Sequence, residues 1–344
     1  MSTVLNIDRF IIPNDIIVSI SNIYKWIGQN KMLMDAVKND LEKIIDQTVE
    51  RDTFFLSQIL GLEISDSRTR LIITKNSSPR NKEETTLYNL KETLSNIQRN
   101  YKHLRYQSND ILNILNYIFS HYNDIKFDYV ETNKRAVLKS QAAKSKRLIL
   151  DEINDNMDIY TKRNSYELTT LYFNYFVDFY NIAPFTEHNL TASLVLLYML
   201  IFKADLEAFK YISFFELLYE NYNEFKTELK NASFNWKEGF AQTLGFIRFM
   251  DRLIIKGYEK SHSVIKNYKF DSNLNKADNI GNTIAKLPDI FTKEEIRIMH
   301  PYVSESTINR ALIKLRDEGH IKPLGRGRSA KWVKIYKGYN YDKD

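Results

Sequence analysis

From about Asn14 to Tyr268, apolar side chains recur at three- and four-residue intervals, the spacing that lines one face of an α-helix. The pattern predicts helices over Ile16–Ile27, Met32–Leu56, Thr86–Tyr101, Asn109–Tyr122, Tyr166–Tyr180, Thr191–Ala204 and Trp236–Tyr258. One stretch, Leu194–Phe202, is apolar on every side, so its helix belongs at the centre of a bundle rather than on its surface. Polar runs at Lys75–Glu84 and Phe127–Lys146 interrupt the series, and no repeat of solenoid length is present.

The pattern changes near the C-terminus. Phe270–Lys286 reads as a linker, after which Thr292–Met299 and Ser304–Glu318 are two short helices separated by a turn at Pro301–Val303. Two strand-like runs follow, Ile321–Leu324 and Lys331–Tyr336, joined by Gly325-Arg326-Gly327-Arg328. Thr292 with Glu295 three residues on is a capping-box start, and Ser304 is a second N-cap candidate. In the second helix Ile308, Ala311, Leu312 and Leu315 share one face and must pack inward, which turns Ser306, Asn309, Arg310 and Lys314 outward. Gly319 stands where a helix stops in the left-handed conformation. Helix, turn, helix and basic hairpin is the order of a winged helix-turn-helix, whose second helix enters a major groove while the hairpin follows phosphates. The candidate DNA contacts are Ser306, Asn309, Arg310, Lys314, Arg326, Arg328 and Lys331.

Charge sharpens that reading. The 344 residues carry a formal net charge of +6, and Ser304–Asp344 alone holds ten Lys or Arg against five Asp or Glu, a net of +5. Such localisation is expected of an end that meets a polyanion. The apolar fraction of 43% with only 10 Gly and 6 Pro describes a globular chain long enough for more than one domain. Zero cysteines exclude a disulfide framework, a thiolate nucleophile and a Cys-based zinc site. The histidines at 103, 121, 262, 300 and 320 lack ligand spacing, so no metal is expected. No leader or membrane span is read, and the expected location is cytoplasmic. Abundant Asn, Ile, Lys and Tyr point to an AT-rich bacterial or phage genome.

Before the apolar Leu194–Phe202 stretch stands Ala183-Pro184-Phe185-Thr186-Glu187-His188-Asn189-Leu190-Thr191-Ala192-Ser193-Leu194. It resembles the signature of Fic-domain proteins, His-Pro-Phe-x-Asp/Glu-Gly-Asn-Gly-Arg-x-x-Arg. The helices on either side and the C-terminal winged helix agree with that family's arrangement. Phe54–Leu62 resembles its inhibitory Ser-x-x-x-Glu-Gly/Asn segment, with Gly61 at the glutamate position. The resemblance implies a family histidine, a general base that activates a target hydroxyl for attack on a nucleotide α-phosphate; here that position is Ala183, which accepts no proton. Glu187 and Asn189 are retained, His188 and Leu190 replace glycines of the anion cradle, and Thr191 and Leu194 replace phosphate-neutralising arginines.

The reading is therefore a mainly α protein. It comprises an N-terminal helical region (1–120), a Fic-like core (121–268), a linker (269–286) and a winged helix-turn-helix domain (287–344). The motif positions Ala183, Glu187, His188, Asn189 and Thr191 are degenerate, so a pseudo-enzyme acting as a transcriptional regulator is expected, with DNA as partner and a homodimer or a protein partner at the core as further partners. No cofactor is expected; ATP with Mg²⁺ belongs to the alternative, a Fic-type AMP-transferase. In a third reading Phe127–Lys146 pairs with an extended peptide.

Overall fold

The computed structural model describes residues 2–9, 11–35, 37–122, 124–130, 145–271, 280–281, 283–285, 287–299, 303, 305–325 and 330–335. The chain divides into two compact units, one of residues 1–30 and 48–259, the other of 31–47 and 260–344, so the division falls within three helices.

The larger unit is helical. Its helices are α1 (Asn14–Met34), α2 (Leu41–Leu60), α3 (Asp66–Lys75), α4 (Lys82–Asn100), α5 (Ser108–Ile118), α6 (Lys146–Arg163), α7 (Leu168–Ile182), α8 (Asn189–Lys203), α9 (Phe214–Glu220), α10 (Tyr222–Ser233) and α11 (Leu244–Asp271), the first, second and last being shared with the smaller unit. As expected for a helix apolar all round, α8 is buried from Thr191 to Phe202. It packs on α7, which is almost as deeply buried; α4 and α5 cover α8, and α6 and α10 cover α7. Aromatic rings fill the seams: Tyr198 stacks on Phe215 at 5.2 Å, and Phe176 on Phe246 at 5.5 Å.

Several boundaries differ from the periodicity, each for a local reason. The run expected at Met32–Leu56 breaks into α1 and α2, with a 3₁₀ turn at Lys38–Asp40, where Asp40 is a weak helix former. The helix expected from Trp236 begins at Leu244, because Asn235 and Gly239 have positive φ and the Trp236 indole donates to Asp178 at 2.7 Å. Four helices had no counterpart in the pattern: α3, α6, α9 and α10. α3 has few apolar residues, and in α6 the buried stripe Leu150, Ile153, Asn154 and Met157 is masked by charged neighbours.

In the smaller unit, β1 (Ile290–Thr292) leads into α12 (Lys293–Met299) and α13 (Glu305–Asp317), followed by β2 (Ile321–Pro323) and β3 (Lys331–Lys334). The strands form an antiparallel sheet in the order β1-β3-β2, with Phe291 opposite Trp332 and Lys322 opposite Val333. The capping box forms at the start of α12: Glu295 accepts from the Thr292 amide at 2.5 Å, and the Thr292 hydroxyl accepts from the Glu295 amide at 3.2 Å. Gly319 has φ +77°, the left-handed stop expected after α13. β1 had no counterpart in the sequence pattern, since three residues are too few to show alternation. The proposed cap Ser304 and the linker centre 272–279 lie outside the described residues.

Candidate functional site

The motif loop joins α7 to α8, and its backbone is held from both ends. Ala183 closes α7 in the left-handed region at φ 44°, donating its amide to the Phe179 carbonyl at 3.1 Å. Its own carbonyl accepts from Lys146 Nζ at 3.1 Å, and the same ammonium pairs with Asp128 at 2.7 Å. The stretch Lys126–Asp128 lies alongside as an antiparallel partner. Phe127 bridges to Phe185, the Asp128 amide donates to the Pro184 carbonyl at 2.9 Å, and the Thr186 amide donates to the Lys126 carbonyl at 3.0 Å. Of the run Phe127–Lys146, residues 131–144 lie outside the described residues.

Asn189 closes the loop on itself. Its Oδ1 accepts from the Phe185 amide at 3.0 Å and its Nδ2 donates to the Phe185 carbonyl at 2.7 Å, so one side chain satisfies both backbone groups of a buried residue. His188 sits at the N-cap of α8 with φ 57°, a conformation that glycine adopts freely and histidine only occasionally. Its ring stacks on Phe119 at 3.5 Å and meets the edge of Tyr122 at 5.7 Å. Nε2 is buried without a hydrogen bond among the described residues and lies 3.8 Å from a Glu187 oxygen. Burial lowers the imidazole pKa below its ordinary value, and the Glu187 charge pulls weakly the other way, so the neutral ring is favoured.

Thr191 and Leu194 both lie in the core, at 4% and 0% exposure. Burial at 194 would make the guanidinium that the resembling motif carries there costly to place. Gly61, at the resembling inhibitory position, has φ +66° and terminates α2: the Leu62 amide donates to the Ser57 carbonyl at 3.1 Å and the Gly61 amide to the Gln58 carbonyl at 3.2 Å, the paired bonds of a Schellman end. Phe54 and Leu62 pack with Ile72, Ile73 and Leu87 of α3 and α4. Lys146 and Phe119 contribute to the loop but had no sequence signal, because their relevance depends on contacts from other elements.

In the smaller unit, α13 buries Ile308, Ala311 and Leu312, while Leu315 is half-buried. Ser306, Asn309, Arg310 and Lys314 are exposed, as is Lys331 on β3. Lys293 of α12 reaches Glu305 at 2.9 Å and Asn309 at 3.2 Å, orienting the outer face of α13. Lys314 lies 3.9 Å from Glu318. Arg326 and Arg328 lie outside the described residues.

Among the described residues no helix is long and apolar enough to cross a membrane, and no group of three or more His, Cys, Asp or Glu is placed to hold a metal. No family model matches the sequence, and no curated protein matches it. Among solved structures, the chain is similar to a Fic family protein from Desulfovibrio desulfuricans G20, at 13% identity and a TM-score of 0.55, with 96% of this chain and 98% of that chain covered. The chain thus shares the fold of a Fic family protein.

Proposed function

We propose that this protein is a DNA-binding regulator in which a Fic-like body lacking the catalytic base accompanies a winged helix-turn-helix reader. The observation that carries the reading is the two-sided character of α13: Ile308, Ala311 and Leu312 are buried while Ser306, Asn309, Arg310 and Lys314 point to solvent. A helix with an apolar inner face and a polar, basic outer face, followed by an antiparallel β2–β3 pair, has the parts of a major-groove reader with a phosphate-contacting wing. In the body, Ala183 offers no proton acceptor where the resemblance calls for one, Thr191 and Leu194 offer no cation, and His188 is packed under Phe119 with a lowered pKa. These features argue against phosphoryl-group transfer and for a scaffold.

Fluorescence anisotropy with DNA from upstream of the protein's own gene tests the reading at two salt concentrations. Sequence-selective binding is expected to weaken steeply with salt, and replacing Arg326 and Arg328 by Ala is expected to reduce the slope of log K against log salt by about 2, near 0.9 for each phosphate that is no longer neutralised. Replacing Arg310 by Ala is expected to relax sequence preference rather than the salt slope. Absence of selective binding at low salt overturns the proposal.

A further inference from the structure

Away from the motif loop, the larger unit carries two adjoining clefts, of about 420 Å³ and 760 Å³, that share Arg9, Ala241, Gln242 and Thr243. Their size is that of small-molecule sites. One wall is the N-terminal 3₁₀ segment Val4–Arg9, another the stretch 239–245 that precedes and begins α11, and a third the end of α10. A single buried carboxylate clamps the first two walls. Asp178 accepts from the Ser2 hydroxyl at 2.5 Å and from the Thr3 and Val4 amides at 2.7 and 2.9 Å on one side, and from the Trp236 indole at 2.7 Å on the other. Thr243 is held in turn by its hydroxyl, which donates to Asn174 at 2.9 Å. The cleft is thereby built before any ligand arrives.

Three features of its rim are not explained by folding. The turn after α10, fixed by Trp236, holds Phe234 and Phe240 in solvent at 64% and 70% exposure. Two large apolar rings on an ordered turn beside a cleft form a surface that excludes little water until something covers it. Arg9 and Lys230 also line the cleft, and neither has a carboxylate partner among the described residues; Glu228 lines it as well, and Arg248 is already paired with Asp15. The exposed Gln242 amide makes no hydrogen bond among the described residues. Unpaired cations beside exposed rings and a free amide are complementary to one kind of occupant.

We propose that this cleft binds a small organic anion carrying an aromatic ring, its carboxylate, sulfonate or phosphate held by Arg9 and Lys230 and its ring by Phe240 and Phe234. The inference does not depend on the DNA-binding reading. The test uses the full chain with 1-anilinonaphthalene-8-sulfonate, an aromatic anion, and the uncharged N-phenyl-1-naphthylamine, which has the same rings. Fluorescence titration is expected to give saturable one-to-one binding of the sulfonate, weakened about tenfold or more by Arg9→Gln with Lys230→Gln, and likewise by Phe240→Ala. The uncharged probe is expected to bind at least about tenfold more weakly and to ignore the charge substitutions. These three side chains are exposed, and thermal melts check that each variant folds; should the double variant melt early, loss of sulfonate binding to the unaltered chain with rising salt gives the charge readout. Lack of saturable binding, equal binding of the two probes, or binding unchanged in folded variants overturns the proposal.

Discussion

Asp251 of α11 is fully buried, and neither carboxylate oxygen has a hydrogen-bond partner among the described residues. Burial pushes its pKa up to about 7, and the charge of Glu167 acts in the same direction. An unfolded aspartate titrates near 4, so between about pH 4 and pH 7 the folded chain keeps a proton that the unfolded chain has released. The resulting stabilisation is complete below about pH 4 and is lost as pH rises through about 7. Asp251→Asn is therefore expected to gain roughly 2–4 kcal/mol relative to the unaltered chain at pH 8, with little gain at pH 4, measured by urea unfolding. A gain equal at both pH values defeats this account. Some slope remains in the variant, because burial also raises Asp52 to about 7 despite hydrogen bonds from Ser213, Tyr198 and the Phe215 amide. At the motif, Asn189→Ala removes both side-chain bonds to the Phe185 backbone and is expected to cost about 1–3 kcal/mol in thermal unfolding, with Asn189→Asp, which keeps only the acceptor, between the two. A cost below about 0.5 kcal/mol excludes that loop lock. The residue itself was legible in the sequence through its place in the motif; its bonds to Phe185 were not, since they follow from a chain reversal that puts residue 189 over residue 185.

At the scale of elements, helix existence was more legible than helix ends. α8 followed from an uninterrupted apolar run, and the α12 capping box from Thr292 and Glu295, because both depend on neighbours within one or two turns. The end of α2 depends on Gly61, whose positive φ carries a steric cost for any residue with a Cβ. Gly61→Ala is expected to destabilise by about 1 kcal/mol although nothing lies within 4 Å of the added methyl, so thermal unfolding reports backbone strain and not a clash. A neutral result rules out the left-handed end. Stopping a helix is a sufficient physical reason for glycine there, independent of any inhibitory role. β1 and α6 escaped the sequence pattern for opposite reasons: β1 is three residues long, and α6 hides its stripe among charges.

For the whole molecule, the net +5 of Ser304–Asp344 within a total of +6 is fixed by composition, and with it the expectation that any DNA affinity falls with salt. The grouping of residues 31–47 with 260–344 is a different kind of fact, since it depends on contacts between stretches far apart in the chain. So does the cleft, which Arg9 and Lys230 both line and where Asp178 joins the N-terminal segment to the Trp236 turn. The sequence by itself determined the mainly helical class, the central place of α8, the two-faced α13 and the alanine at 183. Each rests on spacing within a few residues or on the chemistry of one side chain. Tertiary structure alone decided that His188 packs under Phe119, that Lys146 holds the Ala183 carbonyl, that Asp251 lacks a hydrogen-bond partner among the described residues and that β1 completes a sheet. Those outcomes depend on which distant surfaces meet, and local periodicity carries no information about that.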